Sequence, residues 1–266
     1  MSTGKKKKNK FIVCLFFITA AFINISAQES ELHIKYIGNM GVLISSEDSK
    51  ILIDALHQGN PWGYGEPSEE TITNIINHKN EFADVNIFFA THRHIDHFNN
   101  KFVYEFLKNG KCKTVLTQQA VDDIKNNYKD FERIKSLITV TDNSENGIIN
   151  FKHENIAVKA MNISHGNTTQ NTGYLIELGG FKILHAGDAA QEPKNFTKYN
   201  IAKENIDVAF LPLWFLDEEE LLNAVNAKQV IFVHVSKDEI GKYDNLLKKN
   251  QIIFTKLNDE FVYKKK

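Results

Sequence analysis

His92, His94, Asp96 and His97 fall within six consecutive positions of this chain, His-Arg-His-Ile-Asp-His. Imidazole nitrogens and a carboxylate are the donors that hold Zn²⁺ and its first-row neighbours. The run follows Val85-Asn-Ile-Phe-Phe-Ala, an apolar stretch that reads as a buried strand. Extended spacing at i and i+2 sends His92 and His94 to one side. A turn after them directs Asp96 and His97 to a second point nearby. One cation would not use so many donors efficiently, whereas two adjacent cations would. Three more donors are placed in the same way: His165 in Ile163-Ser-His-Gly-Asn, Asp188 in His185-Ala-Gly-Asp-Ala, and His234 closing Val230-Ile-Phe-Val-His. Each is a His or Asp after an apolar strand run, and loops at strand ends are where such folds gather functional groups. Burying this set without a cation would strand several polar groups, at about 1–3 kcal/mol each. His185, beside Asp188, is expected to orient a ligand rather than to be one. His33, His57, His78 and His153 read as ordinary surface or satisfied core histidines.

The elements that must carry these residues alternate between strand and helix. Leu32, Ile34 and Tyr36 alternate with polar residues, and Gly41-Val-Leu-Ile-Ser and Lys50-Ile-Leu-Ile-Asp are short apolar runs separated by turns. Residues 57–68 form a Gly/Pro/aromatic loop, followed by a helix over 69–79. Helices are expected over about 99–109 and 118–128, with strands over about 113–117 and 135–140. The interval 147–185 is mostly β, with a tight hairpin at Gly179-Gly180. Val208-Ala-Phe-Leu-Pro, a helix over 217–226, Val230-Ile-Phe-Val-His, a helix over 238–248, and strands near 251–254 and 261–263 complete the pattern. With no linker and no repeat, residues 28–266 are expected to form a single α/β domain.

Composition narrows the function. The 266 residues carry 32 Lys+Arg, 33 Asp+Glu and 10 His, with 42% hydrophobic residues. That profile excludes a disordered or low-complexity chain. Residues 1–27 differ from the rest: a basic block with Lys5 to Lys8 and Lys10, an apolar run from Phe11 to Ile23, then small residues ending at Ala27. These are the parts of a secretory signal, and the run is short for a membrane span. Cleavage near Ala27 and an exported mature protein, periplasmic or secreted, are expected. The membrane would be involved only if this segment stayed uncleaved. Removing residues 1–27 removes five lysines and no acid, so the net charge goes from −1 to −6. A chain at −6 is not expected to bind nucleic acid. Of the two cysteines only Cys112 remains, so no internal disulfide can form.

These residues carry a resemblance. The chain resembles the metallo-β-lactamase-fold hydrolases, whose His-x-His-x-Asp-His motif is matched by His92 to His97. Asp54, ending Ile51-Leu-Ile-Asp, resembles the first-strand Asp of that superfamily, and His165, Asp188 and His234 match its later ligand motifs in order. Tyr36-Ile-Gly-Asn-Met-Gly-Val-Leu-Ile and Leu211-Pro-Leu-Trp resemble the branch of ascorbate-6-phosphate lactonase and N-acylphosphatidylethanolamine phospholipase D, although this chain has Asn39 where that branch often has His. The resemblance implies a four-layer αββα sandwich with a dinuclear site at one edge. It implies one metal on His92, His94 and His165, a second on Asp96, His97 and His234, and Asp188 bridging both. Asp54 would fix the motif loop by hydrogen bonds without touching metal.

The activity so implied is that of an exported hydrolase with two divalent ions. Zn²⁺ is the first expectation, and Mn²⁺ or Fe²⁺ suits the same donors. A hydroxide bridging the metals would cleave an ester, lactone or phosphodiester-type bond of a small molecule or lipid. Asp96 and Asp188 are the candidate proton carriers. Trp62 and Tyr64, in the loop after Asp54, are expected to cover the site, with Trp214 and Phe215 as a wall. Such an apolar lip favours an acyl or lipid-like substrate. Two other readings compete: a non-catalytic metal-binding or sensing protein on the same fold, which the intact ligand set opposes, and a β-lactam hydrolase, which Asp188 opposes. Neither substrate identity nor oligomeric state is fixed by the sequence.

Overall fold

A computed structural model describes Met1 and residues 30–265, so the expected signal segment lies outside the described residues. Among the described residues no helix is long and apolar enough to cross a membrane. The chain runs β1 (Glu31–Gly38), β2 (Gly41–Ser46), β3 (Ser49–Ile53), α1 (Glu69–Ile76), β4 (Ile87–Phe89), α2 (Asn100–Asn109), β5 (Lys113–Leu116), α3 (Gln118–Asn127) and β6 (Ile138–Val140). It continues through β7 (Ile148–His153), β8 (Ile156–Asn162), β9 (Thr172–Leu178), β10 (Phe181–His185), α4 (Lys194–Thr197), β11 (Val208–Pro212), α5 (Glu219–Val225), β12 (Gln229–Val233), β13 (Gln251–Ile253) and β14 (Glu260–Lys264).

The strands form two seven-stranded sheets, ordered β14-β1-β2-β3-β4-β5-β6 and β13-β12-β11-β10-β9-β8-β7. In each sheet three antiparallel pairings adjoin three parallel ones. The parallel strands β4 and β11 are apolar throughout because both of their faces are covered. One face of the first sheet meets the second sheet in a core that includes Tyr36, Phe89, Tyr174, Ile183 and Phe210. The other face is covered by α1, α2 and α3 through Ile75, Phe106 and Ile124, which pack with Leu52 and Phe88. The far face of the second sheet carries α4 and α5, whose Phe196 and Val225 meet Leu184 and Phe232. The layers are therefore α/β/β/α, as the resemblance implied.

Local signals account for the boundaries. Ser68, Asn99 and Thr117 cap α1, α2 and α3 by accepting backbone N–H groups of the first turn. Gly179 and Gly180 both have positive φ, +54° and +78°, as the two-residue turn between β9 and β10 requires. The helix expected over 238–248 does not form. That stretch is turns with a short 3₁₀ segment at Asp244–Leu246. Ser236 is tied to Glu239 by its N–H at 2.9 Å and its hydroxyl at 2.7 Å, and Gly241 turns the chain at φ +77°. Tyr243 and Leu247 touch the core but Ile240 and Leu246 stay about half exposed, so the apolar contact here is too small to hold a helix.

Candidate metal centre

All seven candidate donors sit beyond the carboxyl ends of strands. His92, His94, Asp96 and His97 follow β4, His165 follows β8, Asp188 follows β10 and His234 follows β12. The first four thus come from one sheet and the last three from the other. They sort into two groups, His92/His94/His165/Asp188 and Asp96/His97/Asp188/His234, and in each group one donor atom per residue lies within 4.8 Å of every other. Asp188 belongs to both. Its Oδ1 is 3.2 Å from His97 Nε2, and its Oδ2 is 3.3 Å from His234 Nε2 and 3.7 Å from both His92 Nε2 and His165 Nε2. Asp96 Oδ2 stands 3.4 Å from His97 Nε2 and 3.3 Å from His234 Nε2. His92, His97, Asp96, Asp188 and His234 are buried, while His94 and His165 are partly open.

Asp54 explains which ring nitrogens face inward. Its Oδ1 accepts the Thr91 N–H at 2.7 Å, and its Oδ2 accepts the Thr91 hydroxyl at 2.7 Å and faces His97 Nδ1 at 2.9 Å. A carboxylate only accepts, so His97 Nδ1 carries a proton, and Nε2 is the atom turned to Asp96 and Asp188, able to ligate once a cation displaces its own proton. The Thr91 hydroxyl, spent on Asp54, accepts in turn from His92 Nδ1 at 3.0 Å, which frees His92 Nε2 as well. His94 is turned the other way: Thr169 Oγ1 lies 3.2 Å from its Nε2, and its Nδ1 is 3.4 Å from His165 Nε2.

The backbone is bent to make this fit. Asp54, His234 and Asn39 all have left-handed φ, at 45°, 61° and 49°, and such strain concentrates at functional sites. Gly187 has φ +57°, and a Cβ there would lie 2.3 Å from Asn171 Oδ1 and 2.8 Å from Thr91 Cβ. Only glycine lets the Asp188 turn approach the Thr91 strand end so closely.

Burial and charge pull the titrations apart. Burial disfavours a charge on His97, but the Asp188 and Asp96 carboxylates outweigh it and raise the imidazole well above its ordinary range. His234 is raised for the same reasons. Burial, reinforced by neighbouring histidines, holds His92, His94 and His165 low. Burial opposes ionisation of Asp96 and Asp188, yet His97 and His234 keep both below the ordinary carboxylate range. The residues fit a cation on one further ground. His92 Nε2, Asp188 Oδ1 and both ring nitrogens of His234 are buried and make no hydrogen bond. The short His234–carboxylate distances lack hydrogen-bond alignment. Divalent cations are what such converging lone pairs would satisfy.

The other candidates fall as follows. His185 does not reach Asp188. Its Nε2 donates to Met40 O at 3.0 Å and its Nδ1 accepts the Gly187 N–H at 3.3 Å, so it braces the turn that carries Asp188. Tyr64 and Trp214 meet the His234 ring edge-on, with centroids 4.1 and 4.8 Å away, and Trp62 lies against Tyr64 at 6.3 Å. Phe215 is not part of the wall. The 3₁₀ turn Leu213–Phe215 sends it inward, fully buried against Phe196. Arg93 points away from the donors and pairs with Asp123 at 2.8 Å. His57 is buried, with Nε2 on Gly38 O at 3.2 Å, and burial pushes it down to about 4.

Three contributors escaped the sequence reading of the site. Thr91, which links Asp54 to His92, adjoins the motif and could have been suspected from that position. Thr169 gave no signal. Asn39 had been seen only as a departure from the resembled branch. Its Nδ2 donates to Asp96 O at 3.0 Å and Oδ2 at 3.1 Å, and its carbonyl accepts the His234 N–H at 3.3 Å, so it ties the two ligand loops together.

Comparisons with known proteins agree with this architecture. Residues 33–234 match the family described as the beta-lactamase superfamily domain. A comparison with curated proteins finds no match. Among solved structures, a metallo hydrolase of the archaeon Ignicoccus hospitalis is 16% identical with a TM-score of 0.60, over 89% of this chain and 100% of that one. Human tRNase Z, short form, is 13% identical with a TM-score of 0.54, over 86% and 98%. The diiron β-hydroxylase CmlA of Streptomyces venezuelae is 17% identical with a TM-score of 0.53, over 78% of this chain and 45% of that one. At these identities the likeness is one of fold.

Proposed function

The chain belongs to the β-lactamase superfamily, and on that premise we propose that it is a hydrolase dependent on two divalent cations, acting on an ester, lactone or phosphodiester-type bond of a small molecule. The observation that carries this is the pair of donor groups sharing Asp188, with buried lone pairs turned inward. His92, His94, His165 and Asp188 would hold one cation, and Asp96, His97, His234 and Asp188 the other. Two such cations lower the pKa of a water toward about 7 and polarise a carbonyl or phosphoryl oxygen. Asp54, through Thr91 and His97, keeps the imidazoles in the tautomer that can ligate. Asn39 holds Asp96 in place. Asp96 and Asp188 are the carboxylates placed to take the proton of the attacking water and return it to the leaving group. Zinc is the first choice of metal, with manganese or iron as alternatives for the same donors.

The test is elemental analysis of the purified protein together with a panel of esters, lactones, phosphodiesters and β-lactams. Close to two metals per chain and turnover lost in Asp188→Ala are expected. One metal or none after reconstitution with Zn²⁺, Mn²⁺ and Fe²⁺, or an Asp188→Ala variant with normal metal content and normal turnover, would overturn the assignment. We also propose that residues 1–27 direct export and are removed near Ala27, leaving a soluble protein of net charge −6. N-terminal sequencing of the exported protein tests this, and an intact Met1 on that material would refute it.

A further inference from the structure

The chain has two tryptophans, Trp62 and Trp214, and both stand at the mouth of the donor cluster. Trp214 and Tyr64 flank His234, while Trp62, against Tyr64, is 53% exposed. Ile95, between His94 and Asp96 in the motif, is 42% exposed. A Cβ on Gly59 would meet Ile95 Cδ1 at 3.9 Å, so the motif and the Trp62 loop border one another. Exposed Trp62 and Ile95, beside half-buried Tyr64 and Trp214, leave apolar surface open next to the donors, and such surface marks binding sites.

The backbone that carries these aromatics is pinned. Asn60 Oδ1 accepts the N–H groups of Trp62 at 3.2 Å and Tyr64 at 3.3 Å, and Glu66 holds Asn60 by two bonds of 2.6 Å. Tyr64 forms a β-bridge with Ser236, and the Lys237 N–H donates to Gly63 O at 3.1 Å. Trp214 Nε1 donates to Ala189 O at 3.0 Å, next to Asp188. A loop pinned by these bonds has already lost the freedom that binding would otherwise cost. The backbone positions of Trp62 and Tyr64 are therefore set before a ligand arrives.

We propose that Trp62, Tyr64, Ile95 and Trp214 form a lip for the apolar acyl group of a carboxylic ester or lactone, seating its carbonyl beside the two donor groups. This rests on the hydrolase reading above and narrows it. The oxygen of water joins the acyl carbon, the acyl C–O bond breaks, and the leaving alkoxide takes the proton. Recognition of a phosphoryl group by a guanidinium fork has no candidate here. The chain's two arginines are committed elsewhere, Arg93 to Asp123 at 2.8 Å and Arg133 to Asp130 at 3.6 Å.

The carboxylate products of such a reaction are the probes. Acetate, butyrate and hexanoate are titrated into the zinc-loaded protein while tryptophan fluorescence is followed. Each buried methylene tightens binding about fourfold, so hexanoate is expected to bind at least about tenfold more tightly than acetate even with partial burial. In Trp62→Ala, where Trp214 remains as reporter, that ratio is expected to fall below about threefold by the same reckoning. A wild-type ratio near one, or a ratio kept in Trp62→Ala, overturns the lip. So does sedimentation of the wild-type protein, but not the variant, with phosphatidylcholine vesicles, which would assign the surface to a bilayer. Metal content and turnover on the same samples separate this from the parent reading. Two metals with turnover but no chain-length gain overturns the lip alone. A chain-length gain without turnover of any ester, lactone, phosphodiester or β-lactam of the panel supports the lip and overturns the hydrolase.

Discussion

Replacing Asp54 by Asn asks whether one carboxylate that touches no cation nonetheless sets the affinity of the centre. The change keeps the size of the side chain and tolerates the left-handed φ of 45° at this position, so backbone strain is not the variable. What changes is Oδ2, which accepts from both Thr91 Oγ1 and His97 Nδ1. If an amide nitrogen takes that place, it faces two donors. His97 then relieves the clash by moving its proton to Nε2, the atom that points at Asp96 and Asp188. If the amide flips, the Thr91 N–H loses its acceptor instead. The flip leaves His97 in its ligating tautomer and places the loss on folding; the unflipped amide loses a buried hydrogen bond to a charged group at the ligand itself, worth about 1.5–3 kcal/mol. That corresponds to roughly 10- to 150-fold in metal affinity, in line with the about 10–100-fold usual for such orienting partners. The assay is competition for zinc against a chromophoric chelator at fixed pH, with far-UV circular dichroism to show that the variant is folded. A variant with wild-type stability in urea unfolding whose two zinc affinities also stay within about threefold of wild type would refute the tautomer argument.

Further outcomes follow from the same geometry. The metal-free protein is expected to be most stable near pH 6.5. Above it, His97 and His234, whose folded pKa values are raised, lose their stabilising contribution as pH climbs through those values; below it, His57, His92, His94, His165 and His185, whose folded values are lowered, must take up protons at a cost. Thermal unfolding at pH 5–9 with and without zinc checks this, and an apo protein that gains stability from pH 7 to 9 would contradict it. Tyr174→Phe removes the hydroxyl that donates to Ala90 O at 2.7 Å between the sheets, and an expected loss of about 1–3 kcal/mol is measured by urea unfolding. Removing the metals is expected to speed hydrogen exchange at the Thr172 and His234 amides, which donate to Thr91 O and Asn39 O. Under tight loading, near 1,000 times Kd, metal linkage is worth about 4 kcal/mol, so the change approaches a thousandfold as an upper bound. Exchange that ignores chelation would break the link between cations and this seam.

The donor set was legible because metal chemistry needs particular side chains at strand ends, and the apolar runs before His92, His165, Asp188 and His234 mark those ends. The alternation of strand and helix pointed to one α/β domain, and the four layers came from the family resemblance. What the sequence hid depends on partners distant along the chain. Thr169 reaches His94 across 75 positions, and Asn39 reaches Asp96 across 57. Hydroxyl and amide side chains carry no periodic signal that would announce such contacts. Phe215 misled for a related reason, since its direction is set by a one-turn 3₁₀ segment rather than by strand alternation. The stretch 238–248 has helix-compatible residues, but only Tyr243 and Leu247 reach the core while Ile240 and Leu246 stay half exposed, so no helical apolar stripe is buried.

The site also shows why two sheets are needed. His92, His94, Asp96 and His97 belong to one, and His165, Asp188 and His234 to the other, so neither sheet alone completes either donor group. The same edge is laced by four cross-sheet hydrogen bonds: Thr172 N to Thr91 O at 2.9 Å, His234 N to Asn39 O at 3.3 Å, His185 Nε2 to Met40 O at 3.0 Å and Tyr174 Oη to Ala90 O at 2.7 Å. Each ends on, or next to, a residue that supplies or supports a donor. The core between the sheets is thus a positioning device, because a shift of one sheet against the other displaces Asp188 from His92 and His97 together. Packed interiors resist such shifts, since they do not deform continuously. Cations bound at this edge would in turn hold the sheets in register, which couples folding of the sandwich to assembly of the site.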